Sequence, residues 1–154
     1  MKKTLSLLMF FAVLCIGCTK TDDGGTDKKN DNPTEGISYV GDVTVTQDDG
    51  TDFIKKDVEV VMTRTENTMK MEMLKVSFAA AMPIELDMTV EGISFRQTSD
   101  GYAISGDNLV PTAMGGAFPA YTITNLAGGS SDGRLTFSMT CGHYPLRYSG
   151  RRQE

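Results

Sequence analysis

The stretch IELDMTVEGISF, residues 84–95, alternates apolar and polar side chains with a period of two. Ile84, Leu86, Met88 and Val90 fall on one face, and Glu85, Asp87, Thr89 and Glu91 on the other. That period belongs to a β-strand with one face on a core and the other in water. Gly92 interrupts it, and Ile93 and Phe95 carry the apolar phase onward. A glycine inside a strand pattern marks a bulge or a sharp bend.

The same period recurs on both sides of this stretch. In ISYVGDVTVTQ, residues 37–47, Tyr39, Val43 and Val45 share one face with Gly41. DDGTD, residues 48–52, has turn chemistry. Val58, Val60 and Met62 alternate with Glu59, Val61 and Thr63, and Glu66-Asn67 is the next turn. Met69, Met71 and Met73 alternate with Lys70 and Glu72, after which the apolar phase slips by one to Leu74, Val76 and Phe78. The slip predicts a bulge near Met73-Leu74. Downstream, Ser99-Asp100-Gly101 is a turn before Tyr102 and Ile104. Residues 108–119 read as a loop, Tyr121 and Ile123 begin another strand, and GGSSDG, residues 128–133, reads as a turn. Leu135, Phe137, Met139 and Cys141 face one way. After Gly142, Tyr144, Leu146 and Tyr148 alternate with His143 and Arg147.

These segments amount to about eight strands joined by short turns, so successive strands are antiparallel neighbours. Bulged, curling strands tend to close on themselves, because closure removes exposed edges. The expected fold is therefore all-β: an eight-stranded antiparallel up-and-down β-barrel, with a two-sheet sandwich as second architecture. The faces opposite the core are rich in Glu, Asp, Lys and Thr, which does not suit a barrel wall facing lipid.

The barrel is preceded by segments of different character. Lys2 and Lys3 lead into LSLLMFFAVLCI, residues 5–16. This apolar run is too short to span about 30 Å of hydrocarbon and has the length of a signal-peptide core. Cys18 follows the small residue Gly17, as a lipoprotein signal peptidase requires, whereas Cys15 follows the bulky Leu14. Residues 1–17 are thus read as a lipoprotein signal peptide and Cys18 as the acylated first residue of the mature chain. Acyl chains such as palmitate contribute roughly 0.8 kcal/mol per buried methylene, so two or more anchor a protein stably on a membrane. A redox or metal reading of the Cys15–Cys18 pair lacks the βαβ context or the further ligands it needs. Residues 19–35, TKTDDGGTDKKNDNPTE, hold no large apolar side chain and read as a disordered tether that begins at Cys18. Asp22 and Asp23 resemble the acidic export signals that carry lipoproteins of Bacteroidetes-type bacteria to the outer cell surface. The alternative address is the periplasmic face of the outer membrane.

Composition narrows the partners. The net charge is −5, and loss of Lys2 and Lys3 with the leader makes it −7. Basic residues do not cluster before Arg151-Arg152, so nucleic acid is not expected as a partner. Residues 36–150 form one domain with one core, and residues 151–154 a solvated tail. Cys141 is left without an intrachain partner.

The layout is similar to that of the calycin-like β-barrel lipoproteins of Bacteroidetes. The resembling features are Y-x-G at Tyr39 and Gly41, MPIELDMTVEGI at residues 82–93, DGYAISGDN at residues 100–108, Gly133-Arg134-Leu135, and YPLRYSG at residues 144–150. The resemblance implies a calycin-like (lipocalin-like) barrel and an envelope address, and carries no catalytic residues. Lipocalins have a Gly-x-Trp near the start, and this chain has no Trp.

An eight-stranded barrel is either filled by side chains or holds one small ligand. The expected inward set includes Tyr39, Val43, Val60, Met62, Leu86, Tyr121, Ile123, Phe137, Met139, Tyr144 and Tyr148. Methionine fills irregular gaps and also lines adaptable binding surfaces. The candidate ligand-contacting residues are accordingly Met71, Met73, Met88, Met114, Phe118 and Tyr121, near the 108–119 loop. His143 stands alone on the polar phase of its strand, Cys141 has a buried phase, and the Asp48/Asp49/Asp52 group lacks calcium-loop spacing. The Glu85/Asp87/Glu91 stripe reads as an exposed acidic face, and Met114-Gly115-Gly116 lacks the Lys of a phosphate loop. The expected protein is non-catalytic, with no metal and no cofactor. Its role is either a binding module for a small apolar or amphipathic ligand, or a filled barrel acting as adaptor for another envelope protein.

Overall fold

The computed structural model describes residues 35–154. The leader, Cys18 and the linker as far as residue 34 lie outside the described residues. Among the described residues the strands are β1 (Ile37–Thr46), β2 (Asp52–Arg64), β3 (Met69–Val76), β4 (Leu86–Gln97), β5 (Gly101–Gly106), β6 (Thr112–Ala113), β7 (Gly116–Ala117), β8 (Ile123–Ser131), β9 (Arg134–Cys141) and β10 (Tyr144–Arg152). A 3-10 turn, Pro119–Tyr121, precedes β8. The eight long strands pair in the order β3-β2-β1-β10-β9-β8-β5-β4, and a further β3–β4 pairing joins the two ends. Every pairing is antiparallel, so the domain is a closed eight-stranded up-and-down β-barrel.

Closure follows from four irregularities. Register shifts occur between Gly41 and Val43, Met73 and Val76, Met69 and Met71, and Thr124 and Ala127. Each contains one residue with positive φ on the longer side: Asp57 (56°), Lys75 (54°), Gly92 (75°) and Asn125 (53°). An extra residue in the left-handed region bends its strand and raises the local twist, which curls a sheet towards closure. The bulge at Gly92 is where the sequence places it. The one expected near Met73-Leu74 sits one residue later, at Lys75. The bulges at Asp57 and Asn125 are not foreshadowed, because a polar residue in the left-handed conformation looks like any outward-facing strand residue.

The inward faces form one hydrophobic cluster. Tyr39, Val43, Val45, Val60, Met62, Met69, Met71, Met73, Val90, Ile93, Ile123, Leu135 and Cys141 are all completely buried. Tyr121 and Tyr144, also expected inside, are only partly buried and pack against the cluster from one end. Tyr148 Oη, deep in the barrel, donates to the carbonyl oxygens of Tyr39 (3.1 Å) and Val58 (3.2 Å). Tyr39 Oη lies 2.9 Å from Ser130 Oγ and accepts from Tyr102 Oη at 3.3 Å. Burial, and then the negative charges of Glu59 and Asp42, push the Tyr148 phenol well above its ordinary range. Its proton therefore stays in place to hold strands β1 and β2.

Several boundaries differ from the sequence reading. Ile84 precedes β4 and is 48 % exposed instead of joining the apolar face of Leu86 and Met88. Residues 128–131 are strand, and only Asp132-Gly133 turn. A Cβ at Gly128 would meet Thr136 O at 2.2 Å, and one at Gly129 would meet Tyr102 O at 2.2 Å. These glycines permit close strand approach instead of making a turn. Tyr121 belongs to the 3-10 turn begun by Pro119, so β8 starts at Ile123. The 108–119 loop contains the hairpin β6–β7, which adds to the edge of β4 through Met88–Ala113 and Thr89–Thr112. Arg151 and Arg152 are no tail: they pair with Val40 and Tyr39 and extend β10 along β1.

The two ends of the barrel are built differently. The end where the chain enters at Ile37 carries the turns 65–68, 98–100 and 132–133 and the end of β10. The opposite end carries the longer connections 47–51, 77–85 and 107–122, together with Gly142-His143.

Candidate functional site

The elaborate end holds two features, an aromatic stack and a rim cleft. Phe118 stacks on Tyr121 at 4.9 Å, Tyr121 on Phe78 at 5.0 Å and Phe78 near Tyr144 at 6.0 Å, while His143 lies over Tyr144 at 3.9 Å. Phe78 is buried and sits at the centre of the row. It is held by Gln47 Nε2, which donates to its carbonyl at 2.8 Å, and by its own N–H pointing at Met82 Sδ. Offset-stacked rings add to their area burial, so the row closes this end of the core. His143 Nε2 lies 4.0 Å from Asp48 across the mouth, both largely exposed. Burial, then the neighbouring Tyr144 and Cys141, raises the Tyr121 phenol.

Beside the stack, a cleft of about 770 Å³ runs between the approach to β4 and the β6–β7 hairpin. Its walls include Ile84, Glu85, Asp87, Thr89, Thr112 and Met114. Met114 stands at the hairpin tip with φ 52°, followed by Gly115 at 83°. Two consecutive left-handed residues make the tight hairpin turn that suits strand twist, and methionine is an unusual occupant of the first position. The turn drives the Met114 side chain outward, and it is 73 % exposed. Ile84 faces the same cleft, so the lip carries two large apolar side chains in water. Polar contacts fix the floor: Lys55 Nζ pairs with Glu85, and Asp87 Oδ1 accepts from Lys75 N at 2.9 Å. A smaller outer groove of about 310 Å³ lies over β9 and β10 near Asn125, Ser138 and Arg147.

The six candidate ligand residues do not come together. Met71, Met73 and Met88 are core residues with at most 1 % exposure. Phe118 and Tyr121 belong to the aromatic stack, and Met114 alone lines the rim cleft. Ile84 was missed because its phase matched the core. The stack was missed as a unit because its rings come from three separate places in the chain: Phe78 after β3, Phe118 and Tyr121 before β8, and His143 and Tyr144 at the start of β10. Two of the three acids in the Glu85/Asp87/Glu91 stripe are engaged structurally, by Lys55 and by the Lys75 amide. In the 48–52 turn, Asp49 Oδ1 accepts from both Thr51 N and Thr51 Oγ1, which lowers its pKa. Asp52 binds Arg147 at 3.0 Å. Among the described residues, no three His, Cys, Asp or Glu side chains gather as metal ligands.

Cys141 is fully buried, and its S–H points at Tyr121 O at 3.6 Å. Burial raises the thiol from its ordinary 9.0 to about 12. Near neutral pH the native thiol is expected to react with a thiol reagent on the order of 10³-fold more slowly than in the urea-unfolded chain. Equal rates would show that this end of the core opens. The folded state favours the protonated thiol, so this stabilisation is complete below 9.0 and is lost as pH rises towards about 12.

The fold and these features define a class: a closed, small up-and-down β-barrel with one elaborated end. Beyond that class the comparisons add nothing, since no protein-family model, curated protein or solved structure matches the chain.

Proposed function

We propose that this chain is a non-catalytic binding module of the bacterial cell envelope, anchored by acyl chains on Cys18 and holding a small apolar or amphipathic ligand against the rim cleft. The observation that carries the reading is the exposure of Met114 and Ile84, 73 % and 48 %, on one cleft at the end remote from chain entry. Burying each such side chain against a ligand is worth roughly 1.5–3 kcal/mol. The leader, the Gly17-Cys18 junction and the acidic Asp22-Asp23 pair support an outer-membrane lipoprotein, with the cell surface preferred to the periplasmic face. On that reading the ligand comes from outside and meets the cleft first.

Two measurements test this. Cys18→Ala is expected to abolish palmitate labelling and to move the protein from the membrane to the soluble fraction; unchanged membrane association would refute the anchor. Native mass spectrometry of gently purified protein is expected to show a bound mass. Ile84→Lys with Met114→Lys is expected to reduce its occupancy at least about tenfold. Both side chains are exposed, so melting should change little. Equal occupancy in the variant would remove the cleft from the proposal.

The single cluster of buried inward side chains supports a second reading, a barrel that presents its outer wall to another envelope protein. It predicts a crosslinked partner in intact cells and no co-purifying small molecule.

A further inference from the structure

We infer that Arg134 and Arg151 form a binding site for a phosphate group on the outer wall of the barrel. Arg134 opens β9, Arg151 lies near the end of β10, and the two are direct partners in the ladder. Both are exposed and point away from the core, since the neighbouring Leu135 and Gly150 are buried. Like charges directly opposite across two strands are destabilising. A stable sheet has no use for this pairing, and the usual remedy is missing. Arg147, on the same face, is matched by Asp52. The Arg134 guanidinium donates only to Ser149 Oγ, at 3.1 Å, and the Arg151 guanidinium has no hydrogen bond or ion pair among the described residues.

Among the described residues, no carboxylate forms an ion pair with either arginine. Asp42, opposite Ser149 in the next row, pairs with Lys56 at 3.5 Å. Asp132, in the turn before β9, accepts from Ser131 Oγ at 3.5 Å. Glu154 lies beyond the end of β10, exposed. Around the two arginines the wall is low and hydroxyl-bearing: Ser149 is paired with Thr136, and Ser131 with Arg134. An anion therefore has access from solvent. Guanidinium forks match the oxygens of a tetrahedral phosphate, and hydroxyls supply further donors. A bound phosphate would also remove the repulsion between the two arginines.

The position suggests a source. Arg134 and Arg151 sit at the end of the barrel where the chain enters, the end nearest a membrane if Cys18 carries the anchor. A phospholipid headgroup and free phosphate share the recognised chemistry. The lipid source rests on the anchored reading, whereas phosphate recognition by the arginine pair does not.

The test uses full-length protein purified in detergent with its own anchor. Binding of inorganic phosphate and of short-chain phosphatidic acid is followed by native mass spectrometry and by melting against chloride at equal ionic strength. Diacylglycerol with the same chains serves as the phosphate-free control. Wild-type protein is expected to bind the two phosphate compounds and not diacylglycerol. Arg134→Gln with Arg151→Gln is expected to lose at least about tenfold in affinity. Without phosphate the variant should melt no lower than wild type, because a repulsion has been relieved. Phosphatidic acid binding at least about tenfold tighter than inorganic phosphate identifies a headgroup site, and equal affinities identify a free-phosphate site. Equal binding by wild type and variant, or a wild-type response no larger than that to chloride, overturns the proposal. If Cys18 labelling fails, the lipid source falls, and the inorganic phosphate result still decides the site.

Discussion

Gly41→Ala is expected to prevent the barrel from closing. Gly41 of β1 pairs directly with Gly150 of β10, in the seam that joins the first strand to the last. A Cβ at Gly41 would stand 2.0 Å from Ser149 O and 2.3 Å from Gly150 Cα. Both contacts are backbone, so no side-chain rotation relieves them and the two strands must separate. Across the pair, a Cβ at Gly150 would stand 2.2 Å from Tyr148 Oη. The close approach of the glycines thus also makes room for the phenol that binds the Tyr39 and Val58 carbonyls. Overpacking costs typically 1–3 kcal/mol, and leaving buried carbonyls unpaired adds about 1–3 kcal/mol. Against a total stability of about 5–15 kcal/mol, the sum is a large fraction of the fold. Far-UV circular dichroism and urea unfolding measure it. Gly116→Ala is the control, since nothing lies within 4 Å of its added Cβ, and its effect should stay within about 0.5 kcal/mol. A Gly41→Ala protein that melts with wild type would show that β1 and β10 do not meet as described.

Phe78→Ala is expected to cost roughly 3–5 kcal/mol, the range for deleting a buried aromatic ring. Phe78 is 1 % exposed, and both Tyr121 and Tyr144 rest on its ring. Its removal leaves a void at the mouth and takes the support from two partly buried tyrosines. The chain has no tryptophan, so tyrosine near-UV dichroism is readable, and two of the five tyrosines, Tyr121 and Tyr144, contribute from this end. The variant should lose the part of that signal that Tyr121 and Tyr144 contribute, keep the part from Tyr39, Tyr102 and Tyr148, and unfold at lower urea. It should also expose Cys141, whose thiol lies under Tyr121, to thiol reagents. A stability loss below about 1 kcal/mol would mean that the stack is a surface ornament and not part of the core.

Much of the barrel is legible in the sequence, and the illegible parts share a cause. Period-two alternation survives in β1 to β5 and β8 to β10 because each long strand keeps one face in the core. Gly92 announces its bulge because glycine is a rare strand residue, whereas Asp57 and Asn125 announce nothing. The glycines at 128 and 129 read as a turn because glycine serves both turns and close strand contacts, and only the neighbouring backbone tells which. Arg151 and Arg152 read as a tail because a polar strand end becomes strand through its partner, here Val40 and Tyr39. Among the candidate site residues, Met71 and Met73 alternate with Lys70 and Glu72, whereas Met114 precedes Gly115-Gly116 in a segment that reads as a loop. Closure buries the first two and leaves the third at a hairpin tip.

By itself, then, the sequence determined an all-β domain, its strand count and the side of each strand that faces inward. Those properties depend on local periodicity and turn chemistry, which neighbouring residues carry. Only the tertiary structure decided where the seam lies, which glycines are contacts and which methionines are core. Those properties depend on pairs far apart in the chain, such as Gly41 with Gly150. Such pairs meet only once the curl of the whole sheet has brought its ends together.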